Sequence, residues 1–379
     1  MLIKGLLFPA SILAGTIVGA GFFALPFVFQ KSGILTGFFY LAFFAVFLVI
    51  SYLIYGDIIV RTPGEHRFVG YAKMYLGNWG YWLTVFFGLI PLIFALTIYL
   101  ILAPSFSRLF LDGNFIYHLL AFWLAGSAII LLNVKRIAFV EFLIVLGTVL
   151  IIFLVFGFGA EKIINLEIDW VSFNFLSLAA IGPVLFALSG AEAVPEMVSY
   201  FREAKIPSSF FRGSLVLGMA VPAIMFLFFV AAVFGLSPEI SEDAVSGLIG
   251  RVPDQLLGAV GILGLISLMS SYIILGLNAR EVFFYDLKWP DWLSRALIVI
   301  LPLGFYFLGF RSFISLVSNV GGIFVPFGGA LIIWMWYRAN KQLKTPPVFV
   351  GKYIQLIMPF LFVVFLAVTI YFLFLNGYN

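Results

Sequence analysis

The stretch GTIVGAG, residues 15–21, lies inside the first long apolar run of the chain, and Pro26 follows it. Glycine costs about 1 kcal/mol in a helix interior relative to alanine, so three glycines within seven residues favour local unwinding. Two other interpretations are open for this stretch alone, because Gly15 and Gly19 form a GxxxG packing motif and Pro26 can kink a helix.

A second interruption favours unwinding over those two interpretations. The stretch LSGAEAVPE, residues 188–196, lies in the sixth apolar run and again combines glycine with a following proline. Interrupted helices at corresponding positions in two halves of a chain predict a transporter binding site. Because spans one and six are five apart, the two halves are expected to be inverted in the membrane.

The amino-acid composition predicts that these interrupted helices lie in a membrane. Of 379 residues, 64% are apolar and only 10% are charged, whereas a soluble domain carries about 25% charged residues. Apolar runs of 18 to 25 residues are long enough to cross about 30 Å of hydrocarbon as helices. They are too long and too uniformly apolar for barrel strands. The sequence therefore predicts an all-α, polytopic membrane protein.

Eleven spans are predicted, in two inverted repeats of five with one helix left over. The first repeat occupies 1–159, the second 172–338, and the extra helix 353–376. Spans one and six are the discontinuous ones. The predicted ranges are 6–30, 34–60, 80–104, 115–134, 137–159, 172–200, 211–236, 256–284, 292–310, 312–338 and 353–376.

Loop charge predicts the orientation of these spans, because Lys and Arg are enriched in cytoplasmic loops. With a cytoplasmic N-terminus, sixteen of the 21 Lys and Arg residues fall inside and five outside. We therefore expect a multi-pass protein of the cell membrane with its C-terminus outside. The basic, aromatic loop at 61–79 is expected to form a cytoplasmic helix.

An unwound helix supplies the groups that a zwitterion needs. Freed N–H groups and the positive end of a half-helix attract a carboxylate, and freed carbonyls attract an ammonium group or a small cation. Glu192 adds a carboxylate at the second break. It can carry a coupling proton, bind a cationic group of the substrate, or be fixed to a neighbouring helix.

Four stretches resemble the amino acid/auxin permease family, which includes bacterial hydroxy- and aromatic-amino-acid permeases, of the amino acid–polyamine–organocation superfamily. They are GTIVGAGFFALP at 15–26, FALSGAEAVPE at 186–196, RTPGEHRFVGYAKMYLG at 61–77 and SNVGG at 318–322. The resemblance implies a LeuT-type fold and a symporter that moves a neutral amino acid by alternating access. The 47 Phe residues favour an apolar pocket, so we expect an aromatic or branched substrate side chain.

The resemblance also implies the substrate contacts. Gly19, Ala20 and Gly21 would offer amides to the substrate carboxylate, with Thr16 beside them. Phe186, Ala187 and Ser189 would lie near the amino group. Further pocket candidates are Thr97, Tyr99 and Glu192, although a tyrosine that is only hydrogen-bonded within the bundle is an equal alternative for Tyr99.

The coupling ion is predicted from span eight. Ser267, Ser270 and Ser271 share one helical face, and they resemble half of a sodium site whose other half would be the carbonyls of Gly15 and Val18. Oxygen ligands suit a hard cation, although serines also join helices without binding ions. Span five lacks the lysine of proton-coupled relatives, which favours sodium, whereas Glu192 favours a proton.

Other classes of protein fit the sequence less well. His66 and His118 are expected at opposite membrane faces, so they cannot share an enzyme site, and with no cysteines there is no thiolate metal site. Scattered basic residues argue against nucleic acid, and no repeated filter predicts a channel. A non-transporting amino acid sensor of the same fold stays open. The expected partners are an amino acid and membrane lipid, with no cofactor besides the ion.

Overall fold

A computed structural model of the chain describes residues 3–64, 66–132, 149–150, 152–153, 155–157, 177–237 and 239–375. All regular secondary structure within these residues is helical. Among these described residues, six helices are long and apolar enough to cross a membrane, and a bent pair at the N-terminus adds a seventh.

The observed helices correspond to ten of the predicted spans. Span five falls largely outside the described residues. Spans two to four are Ile34–Arg61, Phe68–Ser107 and Phe115–Leu131, and spans seven to nine are Ser209–Leu236, Asp254–Glu281 and Asp291–Phe307. Span ten joins Phe313–Asn319, a π-helical turn Val320–Phe324 and Val325–Gln342, and span eleven is Lys352–Phe374.

Span one is broken where the glycines predict it. A π-helical turn Ile3–Leu7 leads into the helix Phe8–Ile17, and Val18 then leaves helical geometry with ψ 81°. A 3-10 turn Gly21–Ala24 and the helix Leu25–Ser32 follow, so that the two halves are bent by 53°. Pro26 falls in the first turn of the second half, where no helical N–H is lost. The unwinding prediction is therefore confirmed.

Span six is broken in the same way. The helix Ile181–Ala187 ends at Leu188, and a second helix, Ala193–Glu203, begins after Glu192. Pro195 again lies in a first helical turn, where the backbone N–H groups have no partner within the helix.

The two broken helices pack closely against each other. A Cβ atom at Gly21 would lie 2.6 Å from the Cα and 2.9 Å from the N of Ala187. Beside this contact, rings of five phenylalanines pack together at centroid distances from 3.9 to 5.5 Å. They are Phe22, Phe23, Phe106, Phe226 and Phe229. Backbone contact and aromatic packing thus hold the breaks side by side.

The loop after span two begins with a helix, as expected. This short helix begins at Phe68 and is the first part of the helix Phe68–Ser107. The chain bends at Gly77 into the membrane-crossing part of span three, and few residues other than glycine adopt the φ of 74° found there. This short helix places Phe68 against Tyr55 of span two and Arg67 beside Glu281 at the C-terminal end of span eight.

A buried carboxylate ties span two to the linker between spans ten and eleven. Asp57 Oδ1 accepts hydrogen bonds from the N–H groups of Val348 at 2.6 Å and Phe349 at 2.8 Å. Its Oδ2 accepts from Trp336 Nε1 at 2.8 Å and from Arg61 at 3.1 Å. Asp57 and Arg61 are both buried. Because both oxygens are satisfied, this intramembrane charge has a structural role.

Candidate substrate-binding site

A cavity of about 190 Å³ adjoins both helix breaks and extends to the C-terminal end of span eight. Three other walls come from helical stripes at spacings of three and four residues. Span two contributes Leu48, Ser51, Tyr52 and Tyr55; span three contributes Phe87, Gly88, Pro91, Leu92 and Ala95; span ten contributes Val320, Phe324, Val325, Gly328, Gly329 and Ile332.

Most of the predicted substrate contacts line this cavity. They are Thr16, Gly19, Ala20, Gly21, Tyr99, Phe186, Ser189 and Glu192. Two other candidates are not among its walls. The Thr97 hydroxyl donates to the carbonyls of Ile93 at 3.0 Å or Pro302 at 3.2 Å, which places it between helices. Ala187 is buried against Gly21.

Tyr99 of span three fills the break in span one. The Ala20 N–H points to the Tyr99 hydroxyl at 3.4 Å, and any side chain at Gly19 would collide with that hydroxyl. The same hydroxyl interacts with Ser271 of span eight. At 3.4 Å the Ala20 bond is long, so this amide can exchange the phenol for a better acceptor.

Tyr52 of span two fills the break in span six. Its hydroxyl accepts the Gly190 N–H at 2.7 Å and reaches the Leu188 carbonyl at 3.4 Å. This residue was missed by the sequence analysis. The sequence pattern that could have indicated it is the set of polar side chains at 51–57, which is unusually polar for a membrane span. These are Ser51, Tyr52, Tyr55 and Asp57.

Glu192 stands at the N-terminus of the helix Ala193–Glu203, and its side chain lines the cavity. The positive end of that helix stabilises a negative charge there. Within the described parts of the chain, no basic side chain forms an ion pair with Glu192. Among the titratable groups that interact electrostatically with it are Tyr52 and Tyr99. The cavity therefore contains a carboxylate that a cationic group can neutralise.

An ion pair lies at the end of the cavity that adjoins the C-terminal end of span eight. Arg67 donates to Glu281 at 2.5 Å, and both residues line the cavity. Asp286 lies just beyond the membrane-spanning part of span eight, and one of its oxygens has no partner among the described residues. Burial raises the pKa of Asp286 to about 6, against the opposing effect of Arg67. Sequence reasoning had treated Arg67 only as a loop charge.

The predicted sodium ligands are brought together only in part. Ser267 and Ser271 are buried and Ser270 is half-buried in span eight, outside the cavity walls. Ser271 lies near the break, 3.7 Å from the position that a Cβ atom at Gly19 would take. Gly15 is still within the helix Phe8–Ile17, and Val18 begins the unwound segment.

The arrangement can hold an α-amino acid by complementary charge. Unwound amides at 19–21 can receive the carboxylate, while the carbonyl end of the helix Ile181–Ala187 and the Glu192 carboxylate can receive the ammonium group. The stripes of spans two, three and ten leave an apolar space for the side chain. The remaining walls thus suit a neutral, bulky side chain.

Comparison with known proteins agrees with these features. A family model described as "Tryptophan/tyrosine permease family" matches residues 3–291. It supports the aromatic amino acid permease part of the resemblance and does not confirm the name amino acid/auxin permease. No curated protein sequence matches the chain.

Two solved structures resemble the fold over nearly the whole chain. MhsT in complex with L-phenylalanine is 17% identical, covers 96% of this chain and 98% of its own, and superposes with a TM-score of 0.67. The Eremococcus coleocola manganese transporter, in complex with an aromatic bis-isothiourea substituted compound, is 11% identical. It covers 98% of this chain and 86% of its own, and superposes with a TM-score of 0.65. The predicted LeuT-type fold is therefore confirmed.

Proposed function

The chain belongs to the tryptophan/tyrosine permease family, and from that premise we propose that it is a secondary active transporter of aromatic amino acids. The observation that carries this proposal is the cavity at two adjacent helix breaks, which combines unwound backbone, apolar walls and a Glu192 carboxylate that has no ion pair among the described residues. That MhsT was crystallised with L-phenylalanine supports an aromatic substrate. A transporter, rather than an enzyme, is what both the family and the fold indicate.

Transport proceeds by alternating access around the breaks in this proposal. The aromatic cluster and the Gly21–Ala187 contact close one side of the site, and the cavity extends to the other side as far as the Arg67–Glu281 pair. With the N-terminus in the cytoplasm, as the loop charges predict, the end of the cavity at the Arg67–Glu281 pair faces the cytoplasm. Breaking the Arg67–Glu281 pair then releases the substrate inward.

Sodium is the proposed coupling ion. Its ligands would be the carbonyls of Gly15 and Val18 and the hydroxyls of Ser267, Ser270 and Ser271. The position of Ser271 beside the span-one break supports this set, because an ion there would link span eight to the substrate-binding amides. The alternative is a proton carried by Glu192; this carboxylate has no ion pair in the part of the chain that the structure describes, which favours it as a proton carrier.

The purified protein in liposomes tests the function and the ion together. We expect uptake of labelled tryptophan or tyrosine to follow an inward sodium gradient. Uptake that ignores sodium and follows an imposed pH gradient would replace sodium by the proton alternative. Binding of these amino acids without any flux would instead identify a sensor.

Removing two serines tests the sodium site. Replacing Ser270 and Ser271 together with alanine should abolish the sodium dependence of uptake, because two oxygen ligands of a hard cation are lost. The measurement is uptake as a function of sodium concentration. Ser294→Ala is the matched control, since this buried serine of span nine bonds its own helix at Pro290. Full sodium-dependent uptake by the double variant would remove the site.

Glu192→Gln tests the carboxylate. Because hydrogen bonds to charged groups contribute about 1.5–3 kcal/mol, we expect substrate binding to weaken by roughly 10- to 100-fold. Binding of labelled tryptophan to purified protein measures this. Glu203→Gln, at the exposed end of the same helix, should bind like the parent. Equal affinity in Glu192→Gln would mean that the carboxylate does not face the substrate.

A further inference from the structure

Ser51 of span two has a hydroxyl with no hydrogen-bond partner among the described residues. It is fully buried, at 0% exposure, and its Oγ forms no hydrogen bond among the described residues. Buried hydroxyls in helices usually bond the carbonyl three or four residues earlier, as Thr62 and Thr97 do here. Ser51 does not, and it lies on the cavity wall. An unpartnered buried hydroxyl destabilises a protein unless a ligand satisfies it.

The cavity beside Ser51 has the form of an apolar slot. We define this slot as the space between Ser51 of span two, Gly88 and Pro91 of span three, and Phe324 and Gly328 of span ten. A Cβ atom at Gly328 would meet nothing within 4 Å, and one at Gly88 would meet only Phe68, at 3.5 Å. The two glycines therefore leave open space where other residues would fill it.

The slot is connected to both helix breaks through residues next to it on spans two and three. Tyr52, the residue after Ser51, bonds the Gly190 N–H of the span-six break. Tyr99, which lines the cavity two helical turns beyond Pro91 on span three, meets Ala20 of the span-one break. An amino acid whose charged groups occupy the breaks can therefore direct its side chain into the slot and towards Ser51.

We propose that Ser51 recognises the polar atom of an aromatic substrate side chain, the phenol hydroxyl of tyrosine or the indole N–H of tryptophan. This inference rests on the proposed function and names the part of the site that sets its specificity. The ring lies in the slot between spans three and ten, and its polar edge reaches the Ser51 hydroxyl. Phenylalanine fills the same slot but leaves that hydroxyl unpaired, so a site of this kind discriminates against it.

The test compares three substrates in one variant. Binding of tyrosine, tryptophan and phenylalanine to the purified, full-length protein is measured by calorimetry or by competition with a labelled amino acid. In Ser51→Ala we expect tyrosine and tryptophan to bind about tenfold more weakly, the loss of one hydrogen bond, and phenylalanine to bind as before. The melting temperature without substrate should be unchanged or higher, because an unpartnered hydroxyl has been removed.

Thr36→Val is the matched control. Thr36 lies on the same helix, is fully buried and also lacks a partner among the described residues, but it is not on the cavity wall. This variant should bind all three substrates like the parent. The slot itself is tested by Gly328→Val, which should weaken tryptophan binding more than phenylalanine binding because the indole ring is larger.

The outcomes separate this inference from the proposed function. A parent protein that binds none of the three amino acids contradicts the proposed function. A parent that binds them, with a Ser51→Ala variant that loses affinity for all three equally or for none, contradicts only the role of Ser51. A lowered melting temperature in Ser51→Ala would likewise overturn it, since the hydroxyl would then have a partner inside the protein.

Discussion

Gly21→Ala is expected to abolish substrate binding, because it separates the two broken helices that form the site. The new Cβ atom would lie 2.6 Å from the Cα and 2.9 Å from the N of Ala187. Both are backbone atoms, so no side-chain rotation relieves the overlap. Overpacking of this kind costs about 1–3 kcal/mol, and the relief available is a shift of one break away from the other. Titration with labelled tryptophan, together with thermal unfolding in detergent, measures both effects.

Gly258→Ala is the control for this substitution. Gly258 lies within span eight, and a Cβ atom there would meet nothing within 4 Å. Alanine in an open helical position should leave binding intact and keep or slightly raise the melting temperature. Parent-like tryptophan affinity in Gly21→Ala would contradict the view that close backbone contact between the breaks shapes the site.

Asp57→Ala is expected to produce the largest loss of stability. It removes the acceptor of four hydrogen bonds and leaves the buried Arg61 guanidinium without its partner charge. Breaking a buried ion pair by removing one side costs about 3–5 kcal/mol. The linker at Val348 and Phe349 also loses its attachment to span two. Thermal or denaturant unfolding in detergent should therefore show a large decrease in the midpoint.

Two comparisons make the Asp57 result interpretable. Asp254→Ala, an exposed acid in the first turn of span eight, should change stability by no more than about 0.5 kcal/mol. A double variant, Asp57→Leu with Arg61→Leu, should be less destabilised than Asp57→Ala because no unpaired charge remains. Parent-like stability of Asp57→Ala would mean that this carboxylate does not hold the linker.

The helix positions and both breaks could be predicted because each depends on local sequence. In lipid, a long and uniformly apolar run satisfies its backbone hydrogen bonds by forming a helix. The glycines at 15–21 and 190 destabilise a helix wherever they occur. Glu192 could also be identified from local sequence, because it is a charged residue within an apolar span. In the structure it lines the cavity.

The partners that complete the site could not be predicted because they come from distant parts of the chain. Tyr52 reaches a backbone amide 138 residues away, and Asp57 bonds amides 291 and 292 residues away. Thr97 is a pocket candidate by resemblance alone, and its hydroxyl donates to the backbone of its own helix, as threonines in helices readily do. Such contacts depend on which helices are neighbours, and no local pattern contains that information.

The most direct test of the central claim is an experimental structure of the protein with L-tryptophan bound. The proposal predicts the carboxylate at the amides of residues 19–21, the ammonium group beside Phe186 and Glu192, and the indole ring between Gly88 and Gly328. Tryptophan bound elsewhere, with the cavity at the two helix breaks containing only solvent, would contradict the assignment of this cavity as the substrate site.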